Sequence, residues 1–178
     1  LFDQHPGEIA GLMLEPAKYE DPSEGFLQDV RRICHENGAL FILDEMITGF
    51  RWDLQGAQAY YDVDADLSAF GKAMGNGFAV SALMGRREIM ELGGLQHDQE
   101  RVFLLSTTHG AESHALAAGL ATLQVYRTEG VIDALYEKGR RLRRGVEDVV
   151  EAAGLESYIQ VIGKPCNLVF GTRDAEEK

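Results

Sequence analysis

The sequence predicts an α/β fold built on a mostly parallel sheet, followed by the start of a smaller α+β unit. Three observations predict it. An apolar run, Leu40 to Leu43, stops abruptly at two carboxylates, Asp44 and Glu45. A second, shorter run, from Leu67, ends in a lysine, Lys72, followed by the glycine turn Gly75-Asn76-Gly77, with 28 positions separating Asp44 from Lys72. That interval accommodates a strand, a crossover and a neighbouring parallel strand. Past Glu129 the alternation of strand and helix gives way to one long helix followed by two strands, the pattern of an α+β unit. In an open parallel sheet both run ends emerge at one edge, where such sheets hold their ligands. Asp44 and Lys72 are therefore expected to face one small molecule from adjacent strand tips.

The elements are taken in chain order. Gly7 to Pro16 carries Ile9, Leu12, Met13 and Leu14 almost without interruption, as buried parallel strands do, and Pro16 stops it. Gly25 to Asn37 places Phe26, Leu27, Val30, Ile33 and Cys34 on one helical stripe, with Ser23 as the expected N-cap and Gly38 as the stop. With the strand Leu40 to Leu43 this makes a βαβ unit, expected to be right-handed. Gln55 to Tyr61 reads as a short helix, Leu67 to Phe70 as a short strand, Ala79 to Met84 as another, and Arg86 to Leu92 as a short helix. Phe103 to Gly110 reads as a strand end running into a Ser/Thr loop, and an alanine-rich helix follows from Ala111. Val131 to Ala152 has apolar residues at helical spacing. Its Arg140, Arg141, Arg143 and Arg144 are expected on a solvated face, paired with Glu137, Glu147 and Asp148. Tyr158 to Ile162 and Asn167 to Phe170 read as strands. The boundary is expected near Glu129 and Gly130, giving units 1–129 and 130–178.

Composition excludes several classes. The 178 residues, 45% of them hydrophobic, suffice for a sizeable core. A formal net charge of −12 gives no general attraction to nucleic acid or to anionic membranes. No run of apolar residues is long enough to span a bilayer. Cys34 and Cys166 lie far apart without CxxC spacing, which reads as free thiols in a reducing cytoplasm. His109, Glu112 and His114 have poor ligand spacing for one helix face, so no metal is expected there. No GxGxxG follows the first strand, which removes a dinucleotide reading. The chain begins at Leu1 shortly before a strand and ends soon after another, and it reads as an internal fragment of a longer chain.

The strings LFILDEMITGFR, GAQAYYDVDADLSAFGKAMGNGF and ALMGRREIM, in that order, resemble the class III (subgroup II) aminotransferases, and within them glutamate-1-semialdehyde 2,1-aminomutase and its sugar-pathway relatives. The likeness runs from about Gly7 to about Gly171. It implies pyridoxal 5'-phosphate (PLP) as cofactor and a fold type I architecture, with 1–129 as the later part of the PLP-binding large domain and 130–178 as the start of the small domain. It makes Lys72 the Schiff-base lysine, whose freed amine shuttles a proton at the substrate Cα, and Asp44 the partner of the pyridine nitrogen. Met46 stands where relatives place valine or isoleucine on the ring face, and a thioether can make that contact. Thr108, or Thr107 beside it, is expected to reach the PLP phosphate of the other subunit of a homodimer. Glu15 is expected to support the loops at the site edge, and Glu45 to serve as a structural hydrogen bonder. The phosphate cup and the ring-stacking aromatic would lie upstream. The resemblance implies a cytoplasmic enzyme acting on small amino and oxo compounds, either migrating an amine within an amino-aldehyde such as glutamate-1-semialdehyde or transferring it between a donor and an oxo acceptor. The rival reading is a non-catalytic scaffold of this fold that only dimerises.

Overall fold

A computed structural model describes residues 1–100, 102 and 110–173. The strand end and Ser/Thr loop expected before Gly110, with Thr107 and Thr108, lie outside the described residues. A four-stranded sheet is ordered β1 (Gly11–Leu14), β2 (Leu40–Asp44), β3 (Leu67–Phe70) and β4 (Ala82–Gly85). The first three strands are mutually parallel and β4 runs antiparallel to β3. Helix α1 (Phe26–Glu36) makes the β1–β2 crossover. The one-turn helices α2 (Ala57–Tyr60) and α3 (Arg87–Met90) flank β3 and β4 in sequence. Helices α4 (Ser113–Thr128) and α5 (Val131–Ala152) come next, then an antiparallel hairpin of β5 (Ile159–Ile162) and β6 (Val169–Thr172).

The core forms where α1 lies on β2. Leu27 and Cys34 from the helix meet Phe41 and Leu43 from the strand, with Ala39 and Val63 closing the cluster. Each large apolar side chain buried this way contributes about 1.5–3 kcal/mol. The alternation of β2 carries past the strand's apolar part: Phe41, Leu43 and then Glu45 share one face, and all three are fully buried. The first strand is shorter and less buried than its apolar run predicts. Leu12 and Leu14 turn to the core, while Met13 alternates outward and is 55% exposed.

Three local expectations are corrected. Ser23 does not cap α1; Gly25, at φ 77°, occupies the cap position, and only the backbone carbonyl of Ser23 takes part, accepting from Phe26 N–H at 3.0 Å. The Ala79 to Met84 strand begins later, at Ala82, because the chain must first reverse to run against β3. The four arginines of α5 do not form one ion-paired face: among the described residues none makes a salt bridge, and Arg143 is half-buried, donating to the carbonyls of Val161 (3.2 Å) and Gly163 at the end of β5. The same turn presses its backbone on α5 so closely that a Cβ on Gly139 would lie 1.7 Å from the Pro165 carbonyl oxygen.

At the N-terminal edge of the parallel strands one carboxylate ties four elements together. Asp66 is 2% exposed. Its Oδ2 accepts from Phe41 N–H and His35 Nε2, both at 2.8 Å, and its Oδ1 accepts from Arg86 Nη1 at 3.0 Å. Its own N–H donates to the Phe41 carbonyl at 2.8 Å, and its carbonyl accepts from Arg86 N–H at 3.0 Å. Burial alone would raise its pKa, but the Phe41 N–H, His35 and Arg86 outweigh burial and hold it below the usual carboxylate range. A depressed carboxylate stabilises the fold above its unfolded pKa, and that contribution disappears as pH falls through the native value. Asp66→Asn should therefore cost about 2–3 kcal/mol at neutral pH. In urea titrations repeated down the acid range, the gap between wild type and variant should close only below the ordinary carboxylate pKa.

Candidate functional site

The opposite, C-terminal edge gathers the ends of β1, β2 and β3. Asp44 is the last residue of β2 and pairs in register with Ala69 of β3. Lys72 lies just past that strand, which ends at Phe70 and not at the lysine itself. The two residues expected to share a ligand thus stand at and just beyond the ends of neighbouring parallel strands, at one edge. Asp44 is half-buried; its Oδ1 accepts from Met46 N–H at 3.0 Å, and among the described residues Oδ2 has no partner. The Lys72 side chain is exposed, and among the described residues its ammonium makes no ion pair or hydrogen bond.

The backbone at Lys72 is unusual. Its φ is 44°, a left-handed conformation costly for a residue with a long side chain and one that clusters at functional sites. The following one-turn 3₁₀ segment, Lys72–Met74, holds it there: Gly75 and Asn76 N–H donate to the Lys72 carbonyl at 3.1 and 3.0 Å, and Met74 is buried against Phe50 and Phe70. Met46 reaches across to Gly71, directly beside the lysine.

Glu45 ties this edge to the loop and helix that follow it. It is fully buried next to the half-open Asp44. Oε2 accepts from the Thr48 hydroxyl and from Ala57 N–H (2.8 Å), and Oε1 accepts from Gln58 N–H (2.8 Å). The carboxylate thereby satisfies the first N–H groups of α2 from twelve residues away. The fit needs Gly56, whose φ of 90° and proximity leave no room for a side chain: a Cβ there would lie 2.6 Å from Glu45 Oε1. Glu15, at the end of β1, pairs with Lys18 at 3.3 Å.

A second polar cluster borders this edge and was not legible in the sequence. Lys164, from the turn between β5 and β6, lies 2.7 and 3.0 Å from the two carboxylate oxygens of Asp21, donates to the Tyr60 hydroxyl at 3.2 Å and sits 4.4 Å above the Tyr60 ring. Tyr61 donates its hydroxyl to the same Asp21. Burial works against the charged forms here, yet the ion pair wins, lowering the Asp21 pKa and raising that of Lys164. The signal is long-range: 143 positions separate Asp21 from Lys164. A cavity of about 580 Å³ lies elsewhere, between the sheet and α4, lined by Phe50, Ser68, Phe70, Met84, Leu120 and Leu123; neither Asp44 nor Lys72 lines it. No group of three metal-ligating side chains occurs among the described residues, and none of their helices is long and apolar enough to cross a membrane. Both cysteines are free thiols, Cys34 buried and Cys166 half-buried.

This is an α/β chain whose candidate site lies at the carboxyl edge of a mostly parallel sheet. The model of the family described as aminotransferase class-III matches residues 1–171, and the chain belongs to that family. It is 40% identical over 168 residues to the glutamate-1-semialdehyde 2,1-aminomutase of Methanothrix thermoacetophila, covering 92% of this chain and 38% of that protein. It is 35% identical to the enzyme of the same name from Aeropyrum pernix, covering 98% and 41%. The chain thus spans about two fifths of the length of these relatives. The fold matches that of the Sphingopyxis sp. MTA144 FumI protein, solved in its PLP internal aldimine form, with a TM-score of 0.85 at 24% identity over 97% of this chain and 41% of that one.

The geometry of Glu45 yields a stability prediction. Glu45→Gln keeps the shape but turns one acceptor oxygen into an N–H₂ facing N–H or O–H donors. It should destabilise the fold by about 2–4 kcal/mol. The check is a urea titration in which the midpoint falls while the slope stays unchanged.

Proposed function

We propose that this chain forms part of a PLP-dependent enzyme that moves amino groups, with Lys72 and Asp44 as its catalytic and cofactor-holding residues. One observation carries the reading: an ammonium without a protein partner among the described residues, on a backbone held at φ 44°, shares a sheet edge with a carboxylate that keeps one oxygen open. That donor set fits PLP, whose aldehyde needs a primary amine and whose ring nitrogen needs an anionic acceptor. Bound PLP supplies an electron-accepting ring that draws charge from the substrate Cα. Asp44 would hold the cofactor at its ring nitrogen and favour the protonated, cationic ring. Lys72 would hold the cofactor through Nζ, and its amine, when free, would carry a proton to and from the substrate carbon skeleton. Met46 would pack against the ring. In a homodimer, Thr108 or Thr107 would hold the phosphate of the cofactor bound to the other subunit.

The substrates in this reading are small amino and oxo compounds. Likeness to two curated glutamate-1-semialdehyde 2,1-aminomutases supports amine migration within an amino-aldehyde of that kind. The family's description supports transfer between an amino donor and an oxo acceptor as the alternative. Residues 1–129 would be the later part of the PLP-binding domain and 130–178 the start of the small domain, in a cytoplasmic protein. A net charge of −12 supports a protein without nucleic-acid or membrane partners.

Borohydride reduction of the PLP-loaded full-length protein, followed by peptide mapping, should place the pyridoxyl group on Lys72; a label on another lysine would overturn the assignment. Asp44→Asn should retain the fold and lower turnover about 10²–10³-fold, the scale of removing one preorganised electrostatic contact. Steady isomerisation without an added oxo acceptor would favour the aminomutase reading, and a strict requirement for that acceptor would exclude it.

A further inference from the structure

We infer that Gly71 is a clearance position: by lacking a Cβ it parks the end of the Met46 side chain against the strand and keeps the gap between Asp44 and Lys72 open for the cofactor ring. This rests on the reading of Asp44 and Lys72 as the PLP site. A Cβ on Gly71 would lie 2.4 Å from Met46 Cε and 2.9 Å from its Sδ, so the thioether occupies the space a side chain at 71 would need. The next nearest atom, the Val80 carbonyl oxygen, is at 3.6 Å, an ordinary contact distance, so Met46 alone stands in the way. Gly71 has φ −173°, outside the left-handed region that favours glycine. Met46 is therefore the nearest obstacle that a side chain at this position would meet.

The main chain of Met46 is fixed, because its N–H is held by Asp44 Oδ1 at 3.0 Å. A methyl group at position 71 therefore displaces the Met46 side chain by rotation about its own bonds, which a flexible thioether does at little cost. In this inference the half-buried side chain, denied its place beside Gly71, turns toward the edge that Asp44 and Lys72 share, where the cofactor ring would lie. Gly71→Ala then acts as an obstruction placed in the ligand space by Met46 and leaves the fold largely intact. Gly71 is in this sense a positioning residue, acting through Met46.

The test measures PLP affinity separately from stability, with apo protein of the full-length chain titrated with PLP. Gly71→Ala should raise the Kd at least about tenfold, while the thermal midpoint of the apo protein changes little. Met46→Ala/Gly71→Ala should bind within about threefold of Met46→Ala alone, because the obstructing group is gone. The inference is overturned if Gly71→Ala binds PLP as wild type does, or if the alanine at 71 weakens binding as much in the Met46→Ala background as in the wild type. Should Gly71→Ala fail to fold, the comparison of the double variant with Met46→Ala still decides. Borohydride mapping of wild type separates the two failures: a label off Lys72 overturns the functional reading and this inference with it, whereas a label on Lys72 with additive penalties overturns this inference alone.

Discussion

The carboxyl edge of the sheet depends on one buried charge. Glu45 continues the inward face of β2 beyond Phe41 and Leu43, so strand periodicity delivers a carboxylate into the core. An unpaired carboxylate there would be prohibitive. It is tolerated because Thr48, Ala57 and Gln58 each donate to it, while its backbone accepts from Gly49 and donates to Ala69. The loop between β2 and α2 therefore folds around the charge. Phe50 at φ 61° and Trp52, 3% exposed, are carried into place by the same turn.

A second buried carboxylate does comparable work at the other edge. Asp66 joins the entry of β3 to the beginning of β2, the end of α1 and the end of β4. The sheet is thus clamped at both ends by charges that the protein itself satisfies. Burying a charge adds little net stability compared with an apolar replacement, but removing its donors or moving it leaves a costly orphan. Such groups fix register better than apolar contacts do, since a slip of one residue would leave the carboxylate facing solvent and its N–H donors unmet.

The sequence made the sheet legible because its strands are short apolar runs ending in charge or glycine. Leu67–Phe70 and Val131–Ala152 have the bounds that the periodicity predicts, and Leu40 to Leu43 is extended only by Asp44. Asp44 and Lys72 were legible as a pair because parallel strands bring run ends to one edge whatever the loops do. What escaped was three-dimensional in origin. Gly25 displaced Ser23 at the α1 cap because a left-handed backbone at that position turns the Ser23 carbonyl toward Phe26 and leaves the hydroxyl unused. Arg143 looked like one member of a solvated row until the hairpin supplied carbonyls for it. The Lys164–Asp21 pair spans most of the chain, and no local pattern announces it. The threonines proposed to meet a phosphate lie outside the described residues and were legible only through resemblance.

Asp44 and Glu45 show how adjacent, chemically similar groups acquire different capacities. Strand alternation sends them to opposite faces. Glu45 meets a full set of donors and is locked. Among the described residues Asp44 meets a single N–H, from Met46, which orients the carboxylate and leaves its other oxygen without a partner. Lys72 is treated in the same way: the protein binds its carbonyl through Gly75 and Asn76, holds its backbone in a left-handed conformation and leaves the ammonium unengaged among the described residues. A left-handed lysine persists only where the surroundings over-determine it, and the buried Met74, Phe50 and Phe70 supply that constraint. The backbone of each residue is fixed and its polar end is not, which is the arrangement the proposed ligand site would require. The buried charge of Glu45, the turn it organises and the strain at Lys72 are parts of one device, in which fully satisfied polar groups hold two incompletely satisfied ones at a common edge.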